Sequence, residues 1–300
     1  MAADLSLEDV FAARDAIAGR LHRTPTFSSA TLSERVGAPV HLKAELFQRT
    51  GSFKPRGVLT KLASLSTAEK KKGVIGISAG NHAQALAYCA ALEGVDALLV
   101  MWEGASPQKI EATRAYGADV DLEADGPAQA FERLHELIED TGRALVHPFD
   151  DPLTIAGQGT VGLEAIEDVP DAGVIVVPVG GGGLVSGIAL AADGRRVVAV
   201  EPELSDALHR GLEAGKPVPV QPKSIADGLS APFAGEHPVR ICKERGVETV
   251  LVTEDEIADG MRFLYGRAKL ACEPAAAVGV AALLARKVPT DRGETVVAVV

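Results

Sequence analysis

Strand-like and helix-like runs alternate along this 300-residue chain almost from end to end, and that alternation restricts the folds open to it. Gly73-Val74-Ile75-Gly76-Ile77, Val95 to Met101, Val174 to Val177, Val197 to Val200 and Thr249 to Val252 read as strands. The last three are rich in β-branched residues, as strands buried on both faces are. His41-Leu42-Lys43-Ala44 reads as a further strand leading into a turn. Helical patterns lie between: Asn81 to Ala91, a helix opened by Ser106-Pro107, and Pro127 to Thr141, where Phe131, Leu134 and Ile138 share one face. Ser66-Thr67-Ala68-Glu69 and Thr253-Glu254-Asp255-Glu256 fit capping boxes. Strands separated by helices predict an α/β fold of mostly parallel sheets flanked by helices. Residues 67–145 suffice for a small inserted βαβα lobe, leaving 1–66 and 146–300 as the larger domain.

Composition narrows the partners. Hydrophobic residues make up 47% and charged residues 24%, ordinary for a soluble enzyme, and the net charge is −11. An acidic balance argues against a nucleic-acid binder and gives no encouragement to binding at an anionic membrane. Cys89, Cys242 and Cys272 are odd in number and far apart, so neither a zinc site nor a disulfide framework is indicated. They are expected to be buried thiols in a reducing cytoplasm. Residues 1–20 hold no long apolar core of a signal peptide, and no run of about 18 apolar residues follows.

Three motifs carry chemistry. In Thr50-Gly51-Ser52-Phe53-Lys54-Pro55-Arg56-Gly57, proline disfavours helix for Lys54 and itself suits a first helical position. Lys54 is thus expected just outside a helix, on a turn that Gly51 bends, as an amine able to form a Schiff base. Ser78-Ala79-Gly80-Asn81-His82 follows a strand and opens a helix. It is either a carboxylate or phosphate receptor built from unpaired N–H groups, or a helix capped by Ser78 or Asn81. Val179-Gly180-Gly181-Gly182-Gly183-Leu184 lets the backbone approach an oxygen-rich group. It lacks the final glycine of G-x-G-x-x-G and the Lys-Ser/Thr of a P-loop, so a phosphate is expected, but no dinucleotide or nucleoside triphosphate. Amine, carboxylate cradle and phosphate cup together match pyridoxal phosphate and an amino acid.

From His22-Arg23-Thr24-Pro25 to Glu273-Pro274, through these motifs and Gly157-Gln158-Gly159-Thr160, the chain resembles the fold-type II pyridoxal-phosphate enzymes, in the serine/threonine dehydratase and serine racemase branch. The resemblance implies a two-lobed tryptophan-synthase-β-like fold and a homodimer. It implies Lys54 as the Schiff-base lysine, Phe53 packing on the cofactor ring, Asn81 on its ring oxygen and Gly180, Gly181, Gly182 and Gly183 around its phosphate. Ser78, Ala79, Gly80, Asn81 and His82 would hold the substrate carboxylate, and Glu273 either supports the ring or compensates a helix dipole. The implied reaction removes water from a small 3-hydroxy amino acid such as threonine or serine, giving a 2-oxo acid and ammonia, with Lys54 as general base.

Racemases usually carry a serine where Ala79 stands, and His147-Pro148-Phe149-Asp150-Asp151 resembles threonine dehydratases, so elimination ranks above racemisation. A replacement enzyme of the cysteine-synthase kind usually has Thr in place of His82. A fold-sharing binding protein would have no use for Lys54. Some members of the family hold Mg2+ or another cation through a glutamate and a later aspartate. Glu201 matches the first, but Ala207 stands where the second belongs, and Glu201 reads equally as a plain acid. Asp227 fits either a loop facing the cofactor or an ordinary Asp-Gly turn. Family members follow the strand-like run Glu294 to Val300 with Ser/Cys-Gly-Gly-Asn, whose first residue meets the pyridine nitrogen. A length of 300 also leads to the expectation of no C-terminal regulatory domain, and so of a catabolic role.

Overall fold

The computed structural model describes residues 5–291 and 293–300; the start of the 1–20 segment read above therefore lies outside the described residues. In chain order the strands are β1 Thr26–Ser28, β2 Val40–Lys43, β3 Val74–Ile77, β4 Ala97–Trp102, β5 Asp119–Ala124, β6 Ala144–Leu145, β7 Ala172–Pro178, β8 Arg196–Pro202, β9 Glu248–Val252 and β10 Thr295–Val299. The helices of the first half are α1 Leu7–Ala16, α2 Ala30–Val36, α3 Lys54–Ser64, α4 Thr67–Lys72, α5 Asn81–Glu93, α6 Pro107–Ala115 and α7 Pro127–Thr141. Those of the second half are α8 Pro152–Asp168, α9 Gly183–Ala191, α10 Ala207–Ala214, α11 Glu236–Glu244, α12 Glu254–Phe263 and α13 Pro274–Leu284.

The strands form two sheets. One has the order β1-β2-β10-β7-β8-β9 and is parallel except for β1, which pairs antiparallel with β2. The other, β5-β4-β3-β6, is parallel throughout. The period-2 alternation of side chains explains why the central strands are apolar at every position. Val174, Val176, Val198 and Val200 face the core containing α13, whereas Ile175, Val177, Val197 and Ala199 face the one containing α9. In the smaller sheet Val74, Leu99 and Met101 pack with α3 and α5, and Ile75, Ile77 and Val100 pack with α7. One expectation fails: β9 is an edge strand with Glu248 exposed and Thr249 to Leu251 only half-buried, because one of its sides meets no further strand.

Local signals formed where expected. The Ser66 and Thr253 capping boxes are both present. Helix α7 begins at Pro127, and Leu134 is buried with Phe131 and Ile138 packed against the same cluster. In both sheets the turns at the carboxyl ends of parallel strands lead into helices: β3 into α5, and β7 into α9. Strand β10 lies between β2 and β7, so the Lys54 segment and the glycine turn flank its end. Backbone bonds from the Val300 N–H to the Lys43 carbonyl and from the Leu46 N–H to the Val300 carbonyl tie the end of β10 to the start of the segment that carries Lys54.

Candidate active site

After β2 the chain passes through two short 3-10 turns, Glu45–Phe47 and Arg49–Gly51. Gly51 has φ +75, as its place in the turn requires, and Thr50 before it also stands at φ +64, a strained conformation for a β-branched residue. Lys54 then opens α3 rather than standing just outside it. The effect of Pro55 on its predecessor is a bias, and the helical turn closed by the Arg56 N–H on the carbonyl of the N-cap Phe53 (3.1 Å) overrides it here. The Lys54 amine donates to the Pro148 carbonyl at 2.8 Å and lies 5.2 Å from the centre of the Phe53 ring. No carboxylate pairs with it among the described residues, and burial pushes its pKa down from 10.5 to about 8.

The carbonyl that holds Lys54 is itself fixed. His147 Nδ1 accepts from the N–H groups of Phe149 (3.3 Å) and Asp150 (2.8 Å), and Asp150 accepts from the N–H groups of Glu236 and His237 at the start of α11. Burial pushes the His147 imidazole down to about 4, so it is neutral and can accept. The sequence marked this stretch only by its likeness to threonine dehydratases.

Behind Lys54 lies a buried ion cluster that the sequence did not reveal. Arg56, 1% exposed, donates to both oxygens of Glu45 (2.9 Å each) and both of Glu164 (2.7 and 2.9 Å). Fully buried Lys43 meets Glu164 at 2.8 Å and Asp168 at 3.2 Å. No local motif announces such a cluster, because its members come from β2, the turn after it, α3 and α8.

The second motif turns from β3 into α5. Ser78 Oγ accepts from Gly80 N–H at 3.0 Å, and Gly80 is the N-cap with no side chain capping the helix. The capping alternative for Ser78 or Asn81 therefore does not form, and the first N–H groups of α5 lack a side-chain acceptor. Asn81 Nδ2 instead donates to Glu273 Oε1 at 2.6 Å, across to the residue that precedes α13. Burial raises the Glu273 carboxyl above its usual value. His82 is 2% exposed, with Nε2 donating to the Val146 carbonyl at 2.8 Å. Burial pushes it down to about 3 and leaves it neutral.

The third motif is packed as tightly as it is open. A Cβ on Gly181 would fall 2.3 Å from ring carbons of Phe149, and one on Gly183 2.9 Å from the Phe149 carbonyl oxygen. Gly182 has φ +91, and a Cβ there would meet Pro238 at 2.6 Å. The glycines are thus required by the protein around them as well as by any ligand.

These segments line one cavity of about 580 Å3, with Ser52, Phe53, Lys54, Asn81, Gly180 to Gly183, Cys272, Glu273 and Val300 on its wall. Ser78, Ala79, Gly80 and His82 are not among the lining residues; the first three are half-buried. The wall suits pyridoxal phosphate: an amine with no counter-ion among the described residues, a four-glycine turn at a helix start, and the buried hydroxyls of Thr50 and Ser52, unpartnered among the same residues. Cys89 and Cys242 are buried as expected, whereas Cys272 is only half-buried and stands on this wall.

Glu201 is fully buried at the end of β8 and accepts from the N–H groups of Leu208 and His209 at 2.8 Å each, at the start of α10. Burial raises its pKa to about 8. No cluster of three or more potential metal-ligating side chains occurs among the described residues. Asp227 pairs with Lys109 of α6 at 2.5 Å.

The model of a family described as pyridoxal-phosphate dependent enzymes matches residues 17–300. The chain belongs to that family. It is 44% identical over 285 residues to an L-threonine ammonia-lyase of Thermotoga maritima, covering 93% of this chain and 71% of the relative. Among solved structures, a threonine deaminase of T.th. is similar with a TM-score of 0.90 at 40% identity, covering 98% of this chain and 96% of that one. Maize serine racemase is similar with a TM-score of 0.94 at 34% identity, covering 99% and 93%. The α/β fold of parallel-rich sheets flanked by helices and the pyridoxal-phosphate chemistry implied by the resemblance stand as family properties. Sequence reasoning missed the Arg56 cluster, the His147–Asp150 turn, the Ser52 hydroxyl and Lys109.

Proposed function

We propose that the chain is a pyridoxal-phosphate-dependent ammonia-lyase that removes water from a small 3-hydroxy amino acid, L-threonine or L-serine, releasing a 2-oxo acid and ammonia. The observation that carries this reading is the Lys54 amine, paired with no carboxylate among the described residues, on the wall of the cavity that also holds the glycine turn. Lys54, Phe53, Asn81, Gly180 to Gly183 and Glu273 would hold the cofactor. When bound, the cofactor supplies a conjugated electron-withdrawing ring that accepts the electron pair left at the substrate's α-carbon.

The chain's own groups do the rest. An amine lowered to about 8 keeps a neutral fraction near neutral pH, the form in which Lys54 Nζ can take the α-proton. The backbone of Ser78 to His82, with Asn81, would orient the substrate carboxylate. The methyl group of Ala79 neither gives nor takes a proton. That favours elimination over racemisation, the second reading, which the likeness to maize serine racemase supports. Incubation with L-threonine should give 2-oxobutanoate and ammonia in equal amounts. Lys54→Ala should abolish both the activity and the visible band of the bound cofactor. Formation of D-allo-threonine, the α-epimer, without 2-oxobutanoate would overturn the reading.

Several finer points belong to the same reading. Residues 67–145 are taken as a small inserted domain, on the ground that the four-stranded sheet draws all its strands from 74–145; early proteolytic cuts near 66 and 146 would support this. A cytoplasmic setting rests on three free cysteines; no helix among the described residues is long and apolar enough to cross a membrane. A homodimer, implied by the family resemblance, has further support in the exposed, edge-to-face pair of Phe27 on the edge strand β1 and Phe47, and sedimentation would test it. A divalent cation at Glu201 would share a carboxylate that already accepts two N–H bonds, and a rise in Tm with Mg2+ that Glu201→Gln removes is its test.

A further inference from the structure

We propose that Lys109 binds the substrate's α-carboxylate and that Asp227 is the counter-ion it gives up when substrate arrives. The inference rests on the reading above and adds a charged side chain to a carboxylate site so far built from backbone N–H groups and Asn81. Lys109 is the third residue of α6, in the part of the chain that forms the smaller sheet, and its side chain reaches the Asp227–Leu229 turn from the other. Lys109, Gly228 and Leu229 all line the cavity. A Cβ built on Gly80 would lie 3.7 Å from Lys109 Nζ, with no other atom nearer, so the ammonium stands over the backbone of the Ser78–His82 turn.

The turn alone offers only N–H dipoles, whereas an ammonium beside it supplies a full charge and three N–H donors. In this structure one of those donors goes to Asp227, whose side chain is 59% exposed. A pair with one partner so exposed is weak, and a carboxylate arriving at the α5 N-terminus competes for the same ammonium on favourable terms. The two charges also bear on the neighbouring carboxyl: burial raises Glu273, Lys109 lowers it and Asp227 raises it. Lys109–Asp227 and Asn81–Glu273 therefore form adjacent polar links across the cavity, and substrate would exchange the first for a contact of its own.

The test titrates the visible band of the holoenzyme with L-alanine, which has no leaving group, and with L-alaninamide, which has no carboxylate. Lys109→Met should weaken alanine binding by about 10- to 100-fold, the worth of one charged hydrogen bond, and leave alaninamide unchanged. Asp227→Asn should bind alanine several-fold more tightly than the wild type. A Lys109→Met enzyme that keeps the wild-type ratio of alanine to alaninamide affinity overturns the proposal, and so does a wild type that makes no distinction between them. A tie that merely holds the lobes together would shift both ligands equally. Failure to eliminate water from threonine, with the discrimination intact, would instead sink the assigned reaction and leave Lys109 in its role.

Discussion

Replacing Arg56 by leucine should be among the most damaging single changes to this fold, and the size of the loss follows from the hydrogen bonds it makes. Arg56 is 1% exposed and supplies four bonds to two carboxylates, with a fifth to Thr160 at 3.2 Å. Without it, Glu164 keeps Lys43 at 2.8 Å, but Glu45, 2% exposed, retains only the Thr24 hydroxyl. An uncompensated buried charge of this kind costs about 3–5 kcal/mol. With an unfolding entropy of roughly 2.1 cal/mol/K per residue, a chain of this length should lose about 5–8 °C in Tm. Adding Glu45→Gln removes the stranded charge and should restore at least about 1 kcal/mol. Burial pushes Glu164 up, but Arg56 and Lys43 outweigh it and hold the carboxyl below 4.5. That contribution is complete above the unfolded value and is lost as pH falls through the folded one. Acid unfolding of Arg56→Leu should therefore begin at a higher pH. Thermal and urea unfolding of the two single variants and the double variant decide the matter. A Tm within about 2 °C of wild type for Arg56→Leu, or strictly additive losses in the double variant, would refute the reasoning.

In the cofactor-free protein, Lys54→Met should be more stable than wild type at pH 7, since burial disfavours the native ammonium. The native pKa is about 8 against 10.5 unfolded, so wild type gains stability as pH rises through that interval. The gap should close by about pH 10.5; a gap that stays constant across the interval removes burial as the cause. Gly181→Ala places a methyl 2.3 Å from the Phe149 ring and should cost about 1–3 kcal/mol, read by urea unfolding. Phe149→Ala in the same chain should cushion that loss, and strictly additive losses would show that the ring is not what the methyl meets.

The central strands were legible because buried parallel strands leave unbroken apolar runs, whereas β1, β5 and β6, largely exposed or half-buried, leave none; the two capping boxes were legible because each lies within four residues. Lys54, Asn81 and the tetraglycine were legible for the same reason, each set within a few residues of a strand or helix end. The edge exposure of β9 was not, since a strand's sequence does not say how many neighbours it has. The Arg56 cluster and the Lys109–Asp227 pair join residues about 100 or more positions apart in part, and no local spacing encodes them. Thr50 at φ +64 was hidden for the opposite reason: its own chemistry argues for another conformation, and only the surrounding turn imposes this one.

Helix α8 packs against α3 on one flank and α9 on the other. At both contacts backbone meets backbone: a Cβ on Gly157 would sit 2.6 Å from the Gly57 Cα, and one on Gly187 would sit 2.3 Å from the Ile155 carbonyl oxygen. Lys54 starts the first of these helices and Gly183 starts the last. The gap between amine and phosphate cup is thus gauged by incompressible main chain rather than by pliable side chains. Anyone wishing to refit the pocket for a bulkier coenzyme should widen this three-helix spacer first, well away from every atom that would touch the newcomer.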